Sequence, residues 1–177
     1  FAKISGDNKN VAYVHNFNIY LENFSTGEII QLTSDGTGDI INGTFDWVYE
    51  EEFGARDGFT WSPESDKIAF WQLDATQIGT FYMINNTDSI YSKPIPLQYP
   101  KVGDDPSSAK LGVIDIRSKE INWIPVPGDP KQNYLPAIQW VDNNLLLIQQ
   151  LNRKQNQLNV YKFQPASGSI SKLFTET

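Results

Sequence analysis

The 177-residue sequence predicts an all-β fold, a partial β-propeller of about three four-stranded blades with a short inserted helix and a protruding arm. Three observations carry this: a hairpin pattern that recurs three times, a second hairpin after each copy, and two intervals that break the pattern.

The first copy reads Ile4-Ser5-Gly6-Asp7-Asn8-Lys9-Asn10-Val11-Ala12-Tyr13, and the second Trp61-Ser62-Pro63-Glu64-Ser65-Asp66-Lys67-Ile68-Ala69-Phe70. Each sets a strand-ending apolar residue before a polar turn and a short apolar run, with the same spacing from Ser to the aliphatic residue. The third, Trp140-Val141-Asp142-Asn143-Asn144-Leu145-Leu146-Leu147, has a shorter turn. Ser, Pro, Asp and Asn between apolar runs are tight-turn chemistry, so each copy is a hairpin.

Second hairpins follow. The first unit continues with Asn18-Ile19-Tyr20-Leu21, a Ser25-Thr26-Gly27 turn and Glu28-Ile29-Ile30-Gln31-Leu32. The second continues with Leu111-Gly112-Val113-Ile114-Asp115-Ile116 and then Ile121-Asn122-Trp123-Ile124. The third continues with Leu158-Asn159-Val160-Tyr161-Lys162-Phe163, Ala166-Ser167-Gly168 and Ile170-Ser171-Lys172-Leu173-Phe174. Alternation and β-branched or aromatic residues mark all of these as strands. The blades fall at about 1–33, 58–126 and 135–174, within one propeller fragment spanning residues 1–177. Short strands with Gly and Asn turns also suit a β-sandwich; recurrence in order favours the propeller.

The intervals are informative too. Residues 34–57 separate the first two units, and 74–109 interrupt the second. Pro94, Pro96, Pro100 and Pro106 bar the latter from a central sheet, so it is expected to protrude as an arm. Within the former, Asp46 is placed to cap a short helix, about 46–53, that Gly54 ends; Trp47, Val48 and Phe53 can hold it.

Composition excludes several function classes. The formal charge of −7, from 14 basic and 21 acidic residues, repels phosphate backbones, and no basic aromatic stripe offsets it, so no nucleic-acid partner is expected. No apolar run approaches the ~18–20 residues of a membrane helix. Without cysteine there are no disulfides, thiol nucleophiles or thiolate zinc sites, and the single His15 supplies neither a histidine metal site nor a Ser-His pair. No cofactor is implied. The opening Phe1-Ala2-Lys3-Ile4 is strand-like rather than a leader, so a piece of a longer protein is expected.

The candidate site is the run Glu50-Glu51-Glu52 on the inserted helix. Neighbouring helix residues point about 100° apart, so at most two of the three converge. Two adjacent carboxylates repel, and a protonated amino terminus with pKa near ~8 would relieve that repulsion. At an effective dielectric of about 20, one such pair at ~4 Å is worth on the order of 4 kcal/mol before desolvation. Charge runs are usually solvated helix faces, and residue types alone leave that reading open.

The stretch Asp46-Trp47-Val48-Tyr49-Glu50-Glu51-Glu52-Phe53, with Trp61-Ser62-Pro63 and Gln98-Tyr99-Pro100-Lys101-Val102-Gly103, resembles the propeller of the dipeptidyl peptidase IV family over essentially the whole chain. The resemblance implies an N-terminal, eight-bladed propeller joined to an α/β-hydrolase domain with a Ser-Asp-His triad, a partner absent from this chain. It assigns Glu51 and Glu52 to the ammonium of a peptide substrate with a free N-terminus, cleaved after Pro or Ala, while Glu50 stays off the substrate. It implies a homodimer through the arm, about Gln77 to Lys101, with Phe81, Tyr82, Met83, Ile90 and Tyr91 as apolar contacts; packing of these residues onto their own blade is the other reading. The family's upstream propeller arginine is missing, as is the hydrolase domain, so the piece alone is expected to be inactive.

Absence of cysteine suits a bacterial, Bacteroidetes-type member, some of which release tripeptides; a periplasmic, cell-envelope or secreted location is expected. Glycosylation patterns at Asn23, Asn42 and Asn85 then carry no meaning. Two other readings stay open. One is a non-catalytic propeller scaffold for protein partners. The other is a carbohydrate-binding sandwich using Trp47, Trp61, Trp71, Trp123 and Trp140, whose strand and turn-flanking positions suit core packing better.

Overall fold

The structure, a computed structural model, describes residues 1–177. Its first sheet is an antiparallel meander of β1 (Ala2–Ile4), β2 (Asn10–His15), β3 (Asn18–Asn23) and β4 (Ile29–Gln31), in that order. The second begins with β5 (Ile40–Asn42), leaves it for helix α1 (Trp47–Phe53), and returns as β6 (Phe59–Trp61) and β7 (Lys67–Asp74). The chain then makes a separate hairpin of β8 (Thr80–Asn85) and β9 (Lys93–Gln98), and completes the second sheet with β10 (Ser108–Asp115) and β11 (Ile121–Trp123). The third sheet is another meander, β12 (Asn133–Asp142), β13 (Leu145–Asn152), β14 (Leu158–Gln164) and β15 (Ser169–Glu176). The all-β partial propeller, its short helix and its arm are thus present.

The repeated hairpins fold alike. Ser5 N donates to Asn10 O and Ser62 N to Lys67 O, both at 2.9 Å. Ser5 Oγ and Ser62 Oγ each donate to an aspartate of the turn, Asp7 and Asp66, and accept from the first residue of the next strand, Asn10 N and Lys67 N. Asn8 (φ 60°) and Ser65 (φ 61°) take the left-handed conformation at the same step.

The sheets stand side by side with their first strands together. Trp61 Nε1 donates to Lys3 O (3.0 Å) and Trp140 Nε1 to Thr60 O (3.4 Å), so each joins its sheet to the preceding one. Lys3 Nζ reaches back to Phe59 O (2.6 Å) and Asp57 (2.7 Å). This is the radial arrangement of blades about an axis.

The middle sheet explains the unbroken apolar run Ile68-Ala69-Phe70-Trp71. Both of its faces are covered, so both residues of each alternating pair must be apolar. Ile68, Phe70 and Ile114 pack against Ala12, Ile19, Leu21 and Leu32 of the first unit. Ala69, Trp71, Leu73, Leu111 and Val113 pack against Leu146, Ile148 and Phe163 of the third. Gly112 faces Phe70, whose ring lies where a Cβ would stand at 2.6 Å.

One boundary needs correction. Residues 40–42, expected in the segment between units, pair with β7 from Ile40↔Asp74 to Asn42↔Gln72, while β6 pairs the other end from Phe59↔Phe70 to Trp61↔Ile68. The innermost strand of the middle blade is therefore split around residues 43–58. Pro94 and Pro96 sit on β9, where an edge strand needs only alternate N–H donors. No helix is long and apolar enough to cross a membrane.

Candidate functional site

Helix α1 leaves the innermost strand through a neck formed by two glycines. Gly43 N donates to Trp71 O (2.9 Å), Gly58 N to Gly43 O (3.0 Å), and Trp71 N to Gly58 O (3.0 Å). A Cβ on Gly58 would come within 2.7 Å of Gly43 C and Thr44 N, so only glycine closes this neck.

Beyond the neck, Asp46 caps the helix as its sequence suggested: Oδ1 accepts from Tyr49 N (3.0 Å), and Oδ2 accepts from Ser107 Oγ (2.6 Å). Gly54 (φ 61°) ends it in the left-handed conformation. Seven residues are too few to persist as a helix unaided, and packing holds this one. Val48 and Tyr49 are buried, with Trp47 and Phe53 packed partly against the same core. Tyr49 is the central contact, stacked on Phe45 (5.2 Å between ring centroids) and edge-on to Tyr134 (6.0 Å).

The third sheet meets Tyr49 at a bulge. Register shifts between Tyr134 and Ala137, around Pro136, which has no N–H to give. That releases Leu135 from the ladder. Its N–H donates to Tyr49 Oη (3.0 Å) and its carbonyl accepts from Trp71 Nε1 (2.8 Å). Burial pushes the Tyr49 phenol far above its usual range; the Leu135 hydrogen bond opposes the shift and the Asp46 carboxylate adds to it.

The three glutamates separate on this fixed helix. Glu50 is half-buried, and Glu51 and Glu52 are exposed. Glu52, one turn on from Val48, lines a depression of about 340 Å³ with Trp47, Tyr99, Lys101, Tyr134 and Arg153. Glu51 projects from the adjacent helix face, outside that lining. Gln155 Nε2 donates to Glu52 Oε2 at 3.2 Å. Neither Glu51 nor Glu52 forms an ion pair; the salt bridges are Lys3–Asp57, Lys9–Asp7 and Lys67–Asp66.

Sequence reasoning missed the far wall. Arg153 donates through Nη1 to Tyr134 Oη (3.1 Å) and through Nη2 to Asp104 O (2.7 Å). These residues come from the loop before β10, the start of β12 and the β13–β14 turn. Contacts spanning 19 and 49 residues have no local sequence signal. Tyr49 had one: an aromatic residue recurs every four positions, Phe45 just ahead of the cap and then Tyr49 and Phe53 on one side of the helix. No group of three His, Asp or Glu side chains is placed to hold a metal ion.

Comparison with known proteins agrees with this architecture. The family described as dipeptidyl peptidase IV (DPP IV) N-terminal region matches residues 1–177. The chain is 30% identical to dipeptidyl aminopeptidase B of Saccharomyces cerevisiae over 164 residues, covering 89% of this chain and 20% of that one. It is 28% identical to inactive dipeptidyl peptidase 10 of Mus musculus, covering 93% and 21%. The crystal structure of Porphyromonas gingivalis dipeptidyl peptidase 4 superposes with a TM-score of 0.94 at 28% identity, over 100% of this chain and 25% of that one. The chain thus spans a fifth to a quarter of the length of these relatives. Matched along its entire length, it belongs to the dipeptidyl peptidase IV N-terminal region family.

Proposed function

We propose that this chain is the substrate-binding propeller portion of a serine exopeptidase, in which Glu51 and Glu52 hold the ammonium of a peptide's free N-terminus. The parent protein releases dipeptides, or tripeptides, ending in Pro or Ala. Its catalytic serine, aspartate and histidine come from an α/β-hydrolase domain of the same chain. The only histidine here, His15, lies on β2 edge-on to Tyr20 at 6.0 Å and belongs to no such group.

One observation carries the reading: two consecutive carboxylates without a cationic partner project from a rigidly seated helix of the innermost strand. Apart from the exposed Gln155 hydrogen bond to Glu52, their placement brings the fold no benefit. Carboxylates near a helix C-terminus oppose the local backbone dipole, and no basic residue stands in that last turn. A local rule broken this way points to a ligand: Lys101 and Arg153 line the depression beside Glu52, yet neither pairs with it, and an unpaired carboxylate is the chemistry that takes an ammonium. A cation bound there also fixes register, because a chain lacking a free amino end has nothing to offer the pair. The arm of β8 and β9 is assigned to a second copy of the parent.

The test uses the full-length parent. Glu51→Gln or Glu52→Gln is expected to lower kcat/KM for unblocked Xaa-Pro anilides by roughly one to two orders of magnitude, the worth of a charge-assisted hydrogen bond. N-acetylated analogues, poor substrates from the outset, should be unaffected. Equal kinetics for both variants and the unaltered protein on unblocked substrates would remove the assignment.

A non-catalytic scaffold is the second reading, favoured by the similarity to a mouse relative named as inactive. The parent reading frame separates the two. A Gly-x-Ser-x-Gly elbow followed by Asp and His supports the peptidase, and an elbow lacking its serine supports the scaffold.

A further inference from the structure

The β13–β14 turn is built to hold one side chain in place. Arg153 N donates to Gln132 O (2.9 Å) and Gln155 N to Asn152 O (2.8 Å). Asn152 Oδ1 accepts from Asn156 N (3.0 Å) and Gln157 N (3.1 Å), while the Arg153 guanidinium ties the turn to Tyr134 and Asp104. Gln155 itself sits at φ 55°, a conformation that a residue with a Cβ keeps only when its surroundings impose it. From this frame its amide reaches Glu52, on the neighbouring blade, at 3.2 Å.

We propose that Gln155 is a positioning residue for Glu52, and through it for recognition of a free amino terminus; this rests on the ammonium-binding reading above. A carboxylate only accepts hydrogen bonds, so the amide contributes N–H and occupies one oxygen of Glu52. The other oxygen and the full negative charge stay available. A lysine or arginine at the same place would neutralise the carboxylate and compete with the incoming ammonium. An aliphatic residue would leave Glu52 to lose its rotamer freedom when ligand binds. A neutral donor orients the group without spending its charge. Glu51, off the depression, has no such partner, so the pair is asymmetric: Glu52 is preset and Glu51 adjusts.

The experiment measures Kd by calorimetry for Ala-Pro and N-acetyl-Ala-Pro on the full-length parent, a readout that serves whether the parent is active or not. Gln155→Ala should weaken Ala-Pro binding about three- to tenfold, as expected for lost preorganisation, and leave the acetylated peptide unchanged. Gln155→Lys should weaken it further, because the new ammonium takes the ligand's place. Gln155 is exposed, so both variants should melt with the unaltered protein. The deciding measurement is Gln155→Ala in a Glu52→Gln background, where it should have no further effect. If Glu52→Gln alone leaves Ala-Pro binding intact, the ammonium reading fails and this proposal with it. If Glu52→Gln weakens binding but the Gln155 effect adds to it undiminished, or falls equally on the acetylated peptide, only the Gln155 assignment is overturned.

Discussion

At Tyr49 the helix, the middle blade and the third blade meet in one side chain. Its ring is 1% exposed, and its hydroxyl is the acceptor for a Leu135 N–H that the Pro136 bulge has taken out of the sheet. Tyr49→Phe keeps the packing and orphans that N–H, which costs about 1–3 kcal/mol. Thermal and denaturant melts should show the loss. The phenol also sets a pH dependence. Burial raises its pKa in the folded protein, while the unfolded chain ionises near ~10. Its contribution is complete below that pH. Above it the unfolded state sheds a proton that the folded state keeps, so stability falls as pH rises. Tyr161, also raised by burial, adds to the same slope. Melts between pH 9 and about 11 should therefore be shallower in pH for Tyr49→Phe than for the unaltered chain. An equal slope would mean that Tyr49 ionises freely in the fold. At this scale the glutamates were legible as a charge run. Which of them lines a depression was not, because that depends on Tyr99 and Arg153, from distant segments.

Among the elements, the split strand determines where the helix stands. β5 and β6 pair opposite ends of β7, and residues 43–58 leave and re-enter through the Gly43–Gly58 neck. Gly58→Ala forces a Cβ to within 2.7 Å of backbone atoms that cannot rotate away, so the neck must open. The expected cost is about 1–3 kcal/mol, the range for overpacking a filled site. Because α1 hangs from this neck, kcat/KM on unblocked substrates of the parent should fall further than the stability change accounts for. A variant that melts early but keeps full activity at low temperature would show the helix to be independent of its base. The helix itself was readable from Asp46 and Gly54, local signals that act through backbone geometry. The split strand was not readable. Ile40-Ile41-Asn42 is too short to show periodicity, and its partner β7 follows only after the excursion. The turns at Ser5 and Ser62 were readable for the opposite reason: their hydrogen bonds close within six residues.

Across the whole molecule, one exposed element contrasts with the two cores between blades. The hairpin of β8 and β9 pairs with no other strand, and a two-stranded hairpin is marginal in water on its own. Yet Ile84, Ile90 and Tyr91 are 70%, 97% and 83% exposed on it. Its support from this chain comes at the base, where Phe81 meets Tyr99 (5.9 Å) and Gln98 donates to Asp39 (2.6 Å). Tyr99 in turn packs on Trp47 of α1 (4.3 Å), so the arm and the depression beside Glu52 share a wall. Apolar side chains displayed this far from any core are stable once a partner covers them, and a second copy offers the same arm by two-fold symmetry. In the full-length parent, Ile90→Glu with Tyr91→Glu places like charges against each other across that axis. Sedimentation equilibrium should then report a monomer, against the dimer expected of the unaltered parent. The Trp47–Tyr99 contact gives a second readout, since loosening the arm should raise KM for unblocked substrates more than it lowers kcat. A doubly substituted parent that still sediments as a dimer would leave the arm without this role and would require another occupant for its exposed face.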